Sequence, residues 1–286
     1  MASDATTSAT TTTTGLVLYD IAYAPPYEQN ASAPNPWKAR YALNFKDVPY
    51  STQWVQMPDI AKVRQDLGVP AGRKFADGTD FYTLPILIDS SSGTKLGDSF
   101  DIATYLQNNF PDSGAGNLFP PQELDYVCPG TSFVPLSERN DDAHAHYAQF
   151  NSNVDMAFSM HAQLMAHGMK WDPKYEEQIK AEFVRRAAPY GITSWEAMGL
   201  KGEARDKMKA SLREALGGLA VLFQRDGTGP FKLGNQPSYA DIIVGGWLRM
   251  LSKTLETEEW EEVQGWYDGV FRRLHAALQE RFGDVK

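Results

Sequence analysis

Two short stretches place residues where they could hold a small peptide-like molecule. Leu84-Pro85 opens the apolar run Ile86-Leu87-Ile88, which reads as a short buried strand. Proline is tolerated at the first position of a strand, and a cis bond there would turn the amide and carbonyl of Leu84 outward, free to pair with an extended ligand. After the turn from Ser90 to Thr94, Gly97-Asp98-Ser99 precedes Ile102, Ala103, Leu106 and Phe110 at helical spacing. Asp98 and Ser99 therefore stand at a helix N-terminus. Free backbone amides, the Ser99 hydroxyl and the positive end of the helix dipole favour a carboxylate there. A trans proline in a hairpin and a helix cap worth about 1 kcal/mol would account for each feature alone. Their closeness in the chain points instead to one ligand with an extended backbone and a carboxylate.

The elements that must position these residues alternate. Leu16 to Ile21 reads as a first strand, Pro25 to Pro36 as a loop, and Trp37, Tyr41, Ala42 and Phe45 keep helical spacing behind Pro34-Asn35-Pro36, with proline where a first turn tolerates it. Val48 to Val55 supplies a second strand, and Ile60, Val63 and Leu67 a short helix stopped at Gly68-Val69-Pro70. The order strand, helix, strand, helix, strand, strand, helix calls for a mixed sheet with helices packed on it. From Pro111 to Pro135 periodicity is lost, and beyond Glu138 the windows at about 140–168, 174–188, 203–225, 238–254 and 263–281 are helical. The expected organisation is α/β followed by all-α: a tail over 1–14, a first domain over 15–112, a linker over 113–137 and a helical domain over 138–286. Within the last, Ser238 and Asp241 have capping-box spacing ahead of the nearly all-apolar Ile242 to Leu251. That helix should run through the middle of its domain.

A net charge of -9 over 286 residues argues against unaided nucleic-acid binding and against attraction to an acidic membrane. The single cysteine, Cys128, excludes an internal disulfide and any Cys-x-x-Cys site. His144 and His146, two apart, would point to different sides of a helix, so no metal is expected. No apolar run approaches the length of a membrane span, and the Thr-rich opening has neither the apolar core of a signal peptide nor the arginines of a presequence. A cytoplasmic protein with small apolar ligands is the expectation. Met156, Met160, Met165 and Met169 suit an adaptable pocket, but core filling is the expected use of most of them. Glu256 to Glu262 reads as a solvated helix face. Phosphate-loop, nucleophile-elbow and His-Glu-x-x-His patterns are absent from the sequence.

The Leu-Pro strand with Asp98-Ser99, the helical second half and the capped helix in Pro237-Ser238-Tyr239-Ala240-Asp241 together resemble the cytosolic glutathione transferases. The segment Ala33 to Leu43 is similar to the signature of the fungal FuA class and the related bacterial lignin β-etherases, where a Ser-Pro-Asn-x-Trp stretch carries the active-site serine. The resemblance implies a thioredoxin-like N-terminal domain, a helical-bundle C-terminal domain, glutathione as co-substrate and a homodimer. It makes Pro85 the cis proline, pairs Leu84 with the cysteinyl part of glutathione, and sets Asp98 and Ser99 at the γ-glutamyl end.

One departure touches the chemistry. Ala33 stands where the class has its serine, and a methyl group donates nothing to a thiolate. Shifting a thiol from about 8.5 to 7 takes about 2 kcal/mol, within reach of one or two hydrogen bonds to the charged sulfur. Ser32 is the first candidate donor and Asn35 the second, with loop amides as a third source. The implied activity is conjugation or thiolysis of small hydrophobic, aromatic electrophiles, ether cleavage included. The alternative is a non-catalytic carrier (a ligandin) for polyphenols or similar aromatics.

Overall fold

The computed structural model describes residues 15–75, 77–130 and 143–286. The tail over 1–14, the end of the expected linker and the first residues of the expected helical domain lie outside the described residues.

The first half runs β1 (Leu16–Ala22), α1 (Tyr27–Asn30), α2 (Pro34–Phe45), β2 (Ser51–Gln56), α3 (Ile60–Asp66), β3 (Arg73–Lys74), β4 (Asp80–Phe81), β5 (Ile86–Asp89), β6 (Thr94–Leu96) and α4 (Ser99–Asn109). The main sheet has the order β2-β1-β5-β6. β1 lies parallel to β2, from Val17 opposite Ser51 to Ala22 opposite Gln56, and antiparallel to β5, from Leu16 opposite Asp89 to Tyr19 opposite Ile86. The parallel pair needs the crossover that α2 provides. This is the mixed sheet of a thioredoxin-like domain. The second strand begins at Ser51 rather than Val48, since Val48 and Tyr50 turn into the core before the ladder starts.

The second half is helical: α5 (Ala145–Ser159), α6 (Gln163–Ala166), α7 (Glu176–Ala187), α8 (Trp195–Met198), α9 (Gly202–Gln224), α10 (Tyr239–Thr254), α11 (Thr257–Gly265) and α12 (Val270–Phe282). The window at 263–281 is two helices, broken where Tyr267, Asp268 and Gly269 take φ of 51°, 56° and 73°, left-handed values that no α-helix accommodates. Glu256, Glu258, Glu261 and Glu262 are exposed, the solvated face expected of α11. Its Glu259 pairs with Arg205 through Nε at 2.7 Å and Nη2 at 2.5 Å.

α10 is the centre of this half. Ser238 and Asp241 form the capping box, with Asp241 accepting from the Ser238 amide at 2.7 Å and also from the Lys232 amide at 2.7 Å. Ile242, Ile243, Val244 and Leu248 are fully buried behind it. One continuous core joins α2 and α4 of the first half to α5, α9, α10 and α12 of the second. The helix α2 is therefore seated on α10 rather than on its own sheet alone.

Candidate active site

The two halves of the site lie at the ends of elements that the same core fixes. Leu84-Pro85 is a cis peptide bond, and Leu84 is buried just ahead of β5. Asp98 is the N-cap of α4, its Oδ1 accepting from the Phe100 amide at 2.8 Å and the Asp101 amide at 3.4 Å. Ser99 opens the helix, buried, and its carbonyl accepts from the Tyr239 hydroxyl at 3.0 Å, which ties this end of α4 to α10. Asp98 thus caps the helix.

Around Ser32 and Asn35 the backbone is held from both sides. The Ala31 carbonyl accepts from Trp37 Nε1 at 2.7 Å and from Arg249 Nε at 3.4 Å, and the Arg249 guanidinium lies 4.3 Å over the Trp37 ring. Ala33 is the N-cap of α2 without any side-chain cap. Pro34 and Pro36 remove two of the first amides, so Asn35 carries the remaining early N–H of this helix. Asn35 is half-buried, and its Oδ1 has no partner among the described residues.

Ser32 is buried at 1% exposure and faces the phenol of Tyr23, at the end of β1. Burial pushes that phenol above its usual range, and the Ser32 hydroxyl works against the shift, so at neutral pH Tyr23 is a proton-bearing donor. Its ring is stacked on Trp171 at 4.7 Å and 12°. Tyr23, Ala33, Leu84 and Trp171 belong to one apolar cluster with Ile21 and Ile60. The start of α2, the cis-proline turn and a tryptophan from the helical half therefore meet. Trp171 Nε1 is buried with no partner among the described residues.

Beside this cluster a groove of about 500 Å³ opens between the first half and α7, lined by Met57, Ile60, Phe81, Tyr82, Ile179 and Arg186 among others. Its rim is polar. Glu182 binds Arg185 at 2.7 Å and Arg186 at 2.8 Å, which holds its carboxyl down to about 2. The volume is that of a small-molecule site. Among the described residues no three acidic, His or Cys side chains gather as a metal site, and no helix is long and apolar enough to cross a membrane.

Residues 33–109 match the family model of the glutathione S-transferase N-terminal domain, and residues 150–281 that of the C-terminal domain. The chain is 30% identical to a glutathione S-transferase of Ceriporiopsis subvermispora solved in complex with glutathione, with 95% of this chain and 98% of that one covered and a TM-score of 0.77. The chain belongs to the glutathione S-transferase family. It is also 25% identical to glutathione transferase GSTFuA3 of Phanerochaete chrysosporium, covering 95% and 98% of the two chains with a TM-score of 0.74. A glutathione S-transferase-like protein, ustS, of Aspergillus flavus is 27% identical over 277 residues, 92% of this chain and 90% of that protein.

For a glutathione S-transferase of this class, the sequence points to Ser32, Asn35, Leu84, Pro85, Asp98 and Ser99 and passes over two side chains that share a cluster with Leu84. Tyr23 follows the first strand directly, and that position is the available signal. Trp171 sits in a stretch without periodicity. Of the four methionines, Met169 packs against the Tyr23 and Trp171 cluster, while Met165 is core and Met156 and Met160 pack on the larger core. Trp37 and Tyr147, large aromatics that could otherwise stack on an aromatic ligand, are fully buried, and Tyr190 is exposed.

Proposed function

We propose that this transferase binds glutathione along Leu84, Pro85, Asp98 and Ser99 and uses the thiolate against small hydrophobic, aromatic electrophiles, by conjugation or by thiolysis of an ether. The observation that carries the reading is the presence of Leu84, from the cis Leu84-Pro85 turn, and Ala33, at the start of α2, in one cluster, beside a groove large enough for a small second substrate. The relative solved with glutathione supports the co-substrate. We assign Ser32 and Asn35 as the groups that stabilise the thiolate. Ser32 has Tyr23 behind it as a second hydroxyl, and Asn35 would donate through its side-chain amide nitrogen, since its unpartnered Oδ1 only accepts. We further read the protein as a cytoplasmic homodimer acting in detoxification, with a first domain over 15–112 and a helical domain over 138–286.

The Ala33 methyl at the cap favours a second reading, a carrier of aromatics that keeps glutathione without activating it. A calorimetric titration of glutathione in two buffers of different ionisation enthalpy separates the readings. Binding with proton release is expected for the enzyme. Binding without it supports the carrier, and no binding removes the glutathione assignment.

A further inference from the structure

Arg64, on α3, is buried at 1% exposure, and its partners are backbone carbonyls. Nη1 donates to the Thr83 carbonyl and, at 3.1 Å, to the Gly97 carbonyl, while Nη2 donates to the Pro70 carbonyl. Thr83 immediately precedes Leu84, and Gly97 immediately precedes Asp98. One guanidinium therefore joins the residue before the cis-proline turn to the residue before the α4 cap. A planar fork can satisfy several carbonyls at fixed angles, which a flexible ammonium cannot.

The surrounding sequence makes room for this. A Cβ on Gly97 would lie 2.2 Å from Arg64 Nη2 and 2.7 Å from Val69 Cγ1. Glycine at 97 is what lets the guanidinium pass under the entry to α4. The charge is also incompletely used. Arg64 Nε is buried without a partner among the described residues. Burial disfavours the cation, and the Asp98 carboxylate is the first influence that favours it. A positive charge thus lies beneath the two strand and helix ends that would receive the cysteinyl and γ-glutamyl parts of glutathione.

We propose that Arg64 is a positioning residue for glutathione: it sets the separation of the Leu84 and Asp98-Ser99 subsites and adds positive potential beneath them. The inference rests on the glutathione reading above. It differs from that reading in assigning binding strength to a side chain that need not touch the ligand.

The test uses the full chain and glutathione itself, titrated into wild type, Arg64→Lys, Arg64→Met and Gly97→Ala, each with its thermal unfolding midpoint. Arg64→Lys keeps the charge and loses the fork, Arg64→Met loses both, and Gly97→Ala displaces the guanidinium with Arg64 intact. Each folded variant is expected to bind glutathione about tenfold more weakly, equivalent to about 1.4 kcal/mol. The rise should appear in KM for glutathione, with kcat at saturating glutathione and KM for the electrophile little changed. A double variant Arg64→Met with Gly97→Ala should lose less than the sum of the two single losses. A merely structural role would lower the unfolding midpoint and leave the glutathione constant of the folded protein unmoved. Glutathione affinity within about twofold of wild type in Arg64→Lys and Gly97→Ala, both folded, overturns the proposal. If wild type itself does not bind glutathione, both readings fall; unchanged variants of a wild type that binds remove only this one.

Discussion

At residue 33 the chain presents a methyl where one hydroxyl could serve two purposes. α2 starts without a side-chain cap, and Pro36 removes one of the two amides that a cap residue would engage. Ala33→Ser should still gain the Asn35 amide, stabilising the protein by about 0.5–1 kcal/mol. Its proton would remain available to a thiolate. A charged hydrogen bond of about 1.5 kcal/mol corresponds to roughly one pKa unit on the sulfur. Ultraviolet titration of bound glutathione should therefore show the thiol ionising about one unit lower in Ala33→Ser. In Ser32→Ala it should ionise higher by a similar amount. An unchanged thiol in Ser32→Ala would assign activation to Asn35 and the loop amides instead. Ser32 is buried against Tyr23 and Ala33 is the cap itself, so the two substitutions probe different sides of the same turn.

Elements explain why the start of α2 stays in place. α10 approaches it through Gly246, where a Cβ would lie 2.7 Å from the Pro34 carbonyl and 3.0 Å from Lys38 Cγ. Gly246→Ala should gain about 1 kcal/mol of helix propensity and lose more by forcing backbone away from backbone. The expected net is destabilisation by about 1–2 kcal/mol with weaker glutathione binding. Gly265→Ala, whose Cβ would meet nothing within 4 Å, is the control and should be neutral or slightly stabilising. Equal behaviour of the two in chemical denaturation would refute the close-approach argument. The same comparison shows what was legible in the sequence. Long elements with a sustained period, α2, α9 and α10, could be read from the sequence, α10 together with its capping box. The short elements α1 and α8 and the β3–β4 pair carry too few residues for a period to register. Arg64, Lys38 and Arg40 were hidden for a different reason: charges are ordinarily read as solvated, and their partners lie far away in the chain. Lys38 bonds Asn151 at 2.8 Å, and Arg40 bonds Asp20 at 2.8 Å and Thr52 at 3.0 Å. Nothing local marks such a charge as buried.

At the scale of the molecule, the two halves share both a core and a buried ion pair, Lys38 with Asp155, which also accepts from Trp247 Nε1 at 2.6 Å. Removing either partner leaves a buried charge uncompensated, so Lys38→Met or Asp155→Leu should each cost about 3–5 kcal/mol. The pair removed together should cost clearly less than the sum, since the desolvation of both charges goes with it. Additive losses in urea unfolding would show that the pair is not coupled. Acid reaches the molecule by another route, through His275 on α12, which lies edge-on to Trp260 at 5.2 Å with Nδ1 unpartnered among the described residues. Burial, aided by Arg249 and Lys253, lowers its ring from 6.5 to about 4. Because the folded value lies below the unfolded one, the unfolded chain holds the extra proton between them. The stability from keeping the ring neutral is complete above about pH 6.5 and disappears as the pH falls to 4, a loss of about 3 kcal/mol. His275→Phe keeps a ring against Trp260 and has no proton to take up. Its stability should fall less than that of wild type between pH 7 and 4, and the difference between the two curves should follow one titrating group. Parallel curves would place the acid sensitivity in the carboxylates that titrate over the same range.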